Sequence, residues 1–163
     1  MDRNPAKQGI DPVATDPDDI PCWQRLDART TTSGRIATGD VGRLAEIGVR
    51  HVINLALEDS PYGLADEAAL MAEAGLRFSH IPVPFDAPDD AHYQAFRTAL
   101  EASAEPVHVH CIMNWRVSAF FYRYNRDKGM HEADARALME QQWSPEHSDN
   151  EHAAAWVRFI APQ

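Results

Sequence analysis

The stretch Val107-His108-Val109-His110-Cys111-Ile112-Met113-Asn114-Trp115-Arg116-Val117-Ser118 decides how the rest of the chain is read. Val107–His110 is short, β-branched at alternate positions and opened by Pro106, which suits a buried strand. After it, Val117, Phe120, Phe121 and Tyr124 fall at helical spacing, and Gly129 marks the helix end. Cys111 and Arg116 therefore bracket a tight loop at a helix N-terminus, with Ile112, Met113, Asn114 and Trp115 between them. Free backbone N–H groups and the helix dipole both favour an anion at such a place.

The residues in this loop suit phosphoryl chemistry. A thiol attacks only as thiolate, and a helix N-terminus with a nearby guanidinium stabilises that anion. Arg116 offers a planar fork for two phosphate oxygens at once, which lysine cannot match. Loop N–H groups would hold the equatorial oxygens as the phosphoryl group transfers. Asn114 stands where a crowded loop usually wants glycine, and asparagine tolerates the left-handed region better than other side chains. Trp115 suits either a pocket wall or the core beneath the helix. His110 reads as a loop support through a hydrogen bond.

Outward from the loop, strand and helix signals alternate. Val41, Leu44, Ala45 and Gly48 mark one helical face, with Thr38 or Asp40 as its cap. His51–Leu57 reads as a buried strand, Ala65–Ala74 as a helix closed by Gly75, and Leu76–Val83 as another strand. A helix through Tyr93, Phe96 and Leu100 runs to about Ala104, and two more carry Ala135, Leu138 and Met139, then Ala153, Trp156, Val157 and Ile160. Trp23–Leu26 could pair at a sheet edge, while Thr30–Arg35 reads as a turn and Arg123–Lys128 as a solvated helix face. The alternation predicts an α/β domain, with a mainly parallel central sheet of roughly four to five strands and helices on both faces. Ligands bind such sheets at the carboxyl ends of the strands. Cys111 lies at one such end, and Asp86 just past another. Asp86 is thus the candidate general acid, with Asp89 and Asp90 as alternatives whose competing role is capping the next helix.

Composition bounds the function further. The chain has 163 residues, long enough for one domain with a real core. The expected organisation is a disordered tail over residues 1–20, rich in proline and polar residues, and a single domain over 21–163. The formal charge of −10 argues against nucleic-acid binding. No apolar run is long enough for a membrane, so a cytoplasmic location with reduced thiols is expected. Cys22 reads as a semi-buried thiol. The histidine pairs 108/110 and 147/152 lack partners at ligand spacing, so neither a metal nor a cofactor is expected.

The chain resembles the cysteine-dependent tyrosine and dual-specificity phosphatase superfamily, in particular an atypical bacterial branch. The resemblance rests on Ser33-Gly34, on Gly48-Val49-Arg50-His51-Val52-Ile53-Asn54-Leu55, on Ile81-Pro82-Val83 and on His110-Cys111 with Arg116. It implies a three-layer phosphatase-like fold and hydrolysis of a phosphoprotein or small phosphoester through a phosphocysteine at Cys111. It also implies phosphate binding by Arg116 and proton transfer by Asp86. Three departures stand out. The usual gap of about five residues between the cysteine and arginine is here four, Ile112 to Trp115; the loop glycine is replaced by Asn114; and Val117 follows the arginine, with the hydroxyl residue Ser118 one place later. The short gap also resembles rhodanese-like sulfurtransferases, so a persulfide-carrying enzyme and an inactive phosphate-binding module are the alternatives.

Overall fold

The structure, a computed structural model, describes residues 16–162. Its strands are β1 (Gln24–Arg25), β2 (Thr30–Ser33), β3 (His51–Asn54), β4 (Arg77–His80) and β5 (Val107–His110). Its α-helices are α1 (Thr38–Glu46), α2 (Glu67–Glu73), α3 (Asp90–Glu101), α4 (Trp115–Asp127), α5 (Glu132–Glu140) and α6 (Ala153–Ile160). The strands form one sheet in the order β1-β2-β5-β3-β4, parallel except for β1. The strand carrying the nucleophile candidate is thus the middle one.

Alternation along each strand sorts the core into two layers. Ile53, Val107 and Val109 face α3, α4, α5 and α6 through Phe96, Phe120, Met139 and Trp156. Val52 points the other way, to Val41 and Leu44 of α1 and Met71 of α2. This is the expected three-layer α/β arrangement.

Several local expectations change. Thr30–Ser33 is a buried strand, not a turn. Its hydroxyls are polar, but threonine is β-branched and the folded chain gives the hydroxyls of Thr31, Thr32 and Ser33 partners, so burial is tolerated. Arg123 is buried rather than solvated: its guanidinium lies over the Tyr93 ring at 4.1 Å and bonds Asp90 Oδ1 at 2.8 Å. Residues 1–15 of the expected tail lie outside the described residues. The segment 16–20, assigned to the same tail, is packed instead: Ile20 is in the core, Asp19 pairs with Arg43 and Asp16 with Arg25. Sequence composition marks low burial on average but cannot see the one isoleucine that anchors the segment.

Helix ends follow local chemistry. Asp89 caps α3 by accepting from His92 N at 2.9 Å, a bond of about 1 kcal/mol. Asp40, at the third position of α1, accepts from Ala37 N at 2.8 Å. Gly48, Gly75 and Gly129 each take positive φ just after a helix, as expected at C-termini.

Candidate active site

At the carboxyl end of β5 the chain turns through Cys111–Asn114 into α4. Cys111 is buried on the α4 side, among apolar side chains. The turn is held at three points. Arg35 N donates to Ile112 O at 2.9 Å, Cys111 N to Ser33 O at 3.4 Å, and Gly34 N to Pro21 O at 2.7 Å. A Cβ on Gly34 would lie 2.5 Å from Ile112 O, so only glycine allows this approach.

Asn114 takes φ 63°, the left-handed conformation expected for it. It also occupies the cap position of α4, yet its side chain does not cap the helix. Nδ2 donates instead to Cys22 O at 2.9 Å and Thr32 Oγ1 at 3.0 Å. Those two acceptors fix the amide orientation, leaving Oδ1 buried with no donor among the described residues. The first-turn N–H groups of α4 consequently have no side-chain cap, and they open beside Cys111.

Arg116 sits in that first turn. Nη1 donates to Val83 O at 3.0 Å, and the guanidinium carbon is 5.7 Å from the Phe85 ring centre. One of five donors is thus committed, and the others have no partner among the described residues. Behind it stands an aromatic wall. Trp115 and Trp143 stack at 4.7 Å with rings nearly parallel, and Phe85 lies 6.0 Å from Trp115 and 5.4 Å from Trp156. Trp156 Nε1 donates to Phe85 O at 2.8 Å, pinning the segment that Arg116 leans on. Trp115 is therefore both wall and packing residue.

The remaining expected residues divide. Asp86 is exposed, one residue beyond Phe85, and has no hydrogen-bond or ion-pair partner among the described residues. It lines an open groove of about 380 Å³ with Asp89, Asp90, Arg123 and Arg158. Asp89 is committed as a helix cap and Asp90 to Arg123. Ser118 bonds back to Trp115 O at 3.1 Å within its helix. Met113 is exposed, and Ile112 contributes its carbonyl to Arg35.

The carboxyl-end row of the sheet places Ser33, His110, Asn54 and His80 side by side. His110 Nε2 lies 2.7 Å from Glu67 Oε2, and its Nδ1 lies 3.3 Å from Cys111 O. Two residues back, His108 is fully buried between Thr31 Oγ1 and Ser33 Oγ, each at 2.8 Å. Ser33 Oγ gives its one proton to Gly34 O, so it accepts from His108 Nε2–H and Thr31 donates to Nδ1.

Glu67, Arg35 and the Pro21–Cys22 segment were not foreseen as parts of this site. Only the loop's own residues carry a local signal, since the others arrive from distant elements. Cys22, expected to be semi-buried, is exposed at φ 59°. Partial burial of its sulfur, and then the neighbouring Cys111, push its thiol up.

Burial, and then neighbouring His110, hold the His108 ring well below the usual histidine range. Below about pH 6.5 the unfolded chain therefore binds a proton that the native state refuses. Stability should fall as pH drops through that value, by up to about 1.4 kcal/mol per unit for this residue. His51, lowered by burial and then by Arg77, acts in the same direction. Urea midpoints between about pH 7 and pH 5 test this: His108→Gln should flatten the slope, and an unchanged slope would refute the assignment.

Comparison with known proteins places the chain in a family. The model for the beta-lactamase hydrolase-like protein, phosphatase-like domain, matches residues 24–122, well over half of the chain. The chain belongs to that phosphatase-like family. A DUF442 protein of Shewanella putrefaciens CN-32, described as a candidate phosphatase, superimposes with a TM-score of 0.75 at 26% identity, covering 88% of this chain and 93% of its own. TpbA of P. aeruginosa, solved in complex with pTyr, gives 0.67 at 19% identity over 97% of this chain and 91% of its own. Tk-PTP in its active form gives 0.67 at 17% identity, over 86% and 96%. These last two likenesses establish the fold. No curated protein matches the chain. Among the described residues, no helix is long and apolar enough to cross a membrane.

Proposed function

We propose that the protein is a phosphomonoester hydrolase of the tyrosine or dual-specificity type, a single phosphatase-like domain acting through a phosphocysteine at Cys111. The observation that carries this reading is the uncapped start of α4. The side chain of Asn114 is spent on Cys22 O and Thr32 Oγ1, so the first-turn N–H groups remain for an anion between Cys111 and Arg116.

The thiolate of Cys111 attacks phosphorus, forming the S–P bond as the P–O bond to the leaving group breaks. Arg116 and the loop N–H groups from Ile112 to Trp115 hold the equatorial oxygens. Asp86, the acid of its loop without a structural partner, gives a proton to the departing oxygen. Water then attacks phosphorus and returns a proton to Asp86 as the S–P bond breaks. His110 and Ser118 support the loop from behind, through the Cys111 and Trp115 carbonyls. The substrate is a phosphorylated protein or small phosphoester.

Purified protein should hydrolyse a chromogenic phosphomonoester and leave thiosulfate with cyanide unreacted. The reverse result would assign the four-residue loop to sulfur transfer. Asp86→Asn should slow hydrolysis by about 10²-fold for a poor leaving group and far less for a good one. An equal loss on both would remove Asp86 as the acid.

A further inference from the structure

The reaction described above leaves a guanidinium beside the loop without a task. Among the described residues, Arg35 and Arg158 are the arginines whose side chains have neither a hydrogen bond nor an ion pair. The chain holds 25 Asp and Glu against 15 Lys and Arg, so a shortage of acids does not explain an unpaired cation. Arg158 lines the groove of Asp86, Asp89 and Asp90, where those carboxylates repel a further anion. Arg35 comes instead from the β2 flank of the site. Its backbone N–H holds Ile112 O at 2.9 Å, which fixes the residue against the turn. Its guanidinium carbon lies 5.8 Å from the ring centre of Tyr62, in the loop after β3. β2 and β3 both pair with β5, so this contact joins the two loops that flank the end of the strand leading into Cys111.

Three features fit this guanidinium to an anion. The Tyr62 ring supports the cation through its face and takes none of its N–H groups, so all five donors stay available. Tyr62 is itself 62% exposed, so core packing does not account for its position. The exposed Cys22 thiol ties Arg35 to the nucleophile: after partial burial, Cys111 raises it and Arg35 lowers it, so both lie within electrostatic reach of the same sulfur. A planar fork of this kind takes a carboxylate or a phosphate through two parallel bonds. We infer that Arg35, held by Tyr62, is a specificity-determining residue that binds a second anionic group of the substrate, a carboxylate or phosphate close to the phosphoryl group that Cys111 attacks. The inference deepens the phosphatase reading and rests on it. With a formal charge of −10 the chain as a whole repels such a substrate, so a preference for it has to come from a local cation.

The test takes the ratio of kcat/KM for an anionic analogue to kcat/KM for phenyl phosphate, at low ionic strength. The analogues are the ortho, meta and para carboxyphenyl phosphates and a phenylene bisphosphate. Arg35→Gln keeps the backbone N–H that holds Ile112 and removes only the cation. For at least one analogue the ratio should be about tenfold lower in this variant than in the parent, the effect of losing one charge-assisted pair. Leaving-group chemistry is the same in both proteins and cancels. Arg35→Lys, with the charge but not the fork, should keep part of the preference, and added salt should erode it in the parent. The analogue with the larger drop identifies the second group as carboxylate or phosphate. Equal ratios in parent and Arg35→Gln for every analogue would overturn the inference. Should neither protein hydrolyse any phosphomonoester, calorimetric Kd values for the same compounds decide the subsite alone. A preference lost in Arg35→Gln would then uphold it while removing the phosphatase reading, and equal Kd values would overturn it.

Discussion

Cys111→Ser should lower phosphomonoester hydrolysis by at least about 10³-fold, more than about 4 kcal/mol of transition-state stabilisation. A serine hydroxyl at this position has no adjacent base to activate it, whereas a thiolate needs only the positive surroundings that Arg116 and the α4 N-terminus provide. Phosphate binding should survive, because the cradle is made of N–H groups and a guanidinium that the substitution leaves in place. A variant that binds phosphate or vanadate with nearly parental affinity yet fails to turn over is the expected pattern. Cys111 lies among apolar side chains, so a new hydroxyl there costs about 1–3 kcal/mol of stability if it finds no partner. Cys111→Ala removes that ambiguity, and it should be just as inactive. Unchanged hydrolysis in either variant would defeat the nucleophile assignment and the function proposed from it.

Trp156→Ala should be the most damaging change outside the loop. The side chain is fully buried between Phe85, Phe120, Trp143 and Phe159, with ring centres 5.3–6.2 Å away. Truncating a buried aromatic of this size costs about 3–5 kcal/mol, and here the Phe85 carbonyl also loses its indole donor. Trp156→Phe keeps most of the volume and should cost only about 1–2 kcal/mol, mainly the hydrogen bond. Because Phe85 lies under the Arg116 guanidinium, kcat/KM should also fall in Trp156→Phe while the protein remains folded. Urea unfolding and steady-state kinetics on the same preparations separate the two effects. A Trp156→Ala protein with parental stability would show that the aromatic wall is not the keystone of the α3–α6 layer.

The two cases illustrate how differently the site's parts are encoded. Cys111, Arg116 and Asn114 were legible because they sit in one strand–loop–helix unit, where local spacing fixes geometry. The left-handed turn at Asn114 was foreseen for the same reason: φ is a property of one residue and its neighbours. Asp89 was correctly offered an alternative as a helix cap, since capping is local, whereas Asp90 lies in the same first turn but its carboxylate is taken by Arg123, 33 residues on. Glu67 was invisible. On its own it is the first acid of an alanine-rich helix, and only the pairing of β3 with β5 and the packing of α2 bring it to His110. Thr30–Ser33 misled for a related reason, because its hydroxyls look solvated until His108 arrives across the β2–β5 ladder to bond them.

By itself, then, the sequence determined the α/β alternation, the strand that leads into Cys111, and the tight turn from there into α4. These follow from periodicities of two and 3.6 residues and from single-residue dihedral preferences. The tertiary structure alone decided what surrounds that turn. It spends the Asn114 side chain on Cys22 and Thr32, leans Arg116 on Val83 and Phe85, and joins His110 at the end of β5 to Glu67. Each of those contacts joins residues dozens of positions apart. Their partners are chosen by which polar groups burial leaves without water, a choice made only when the layers close.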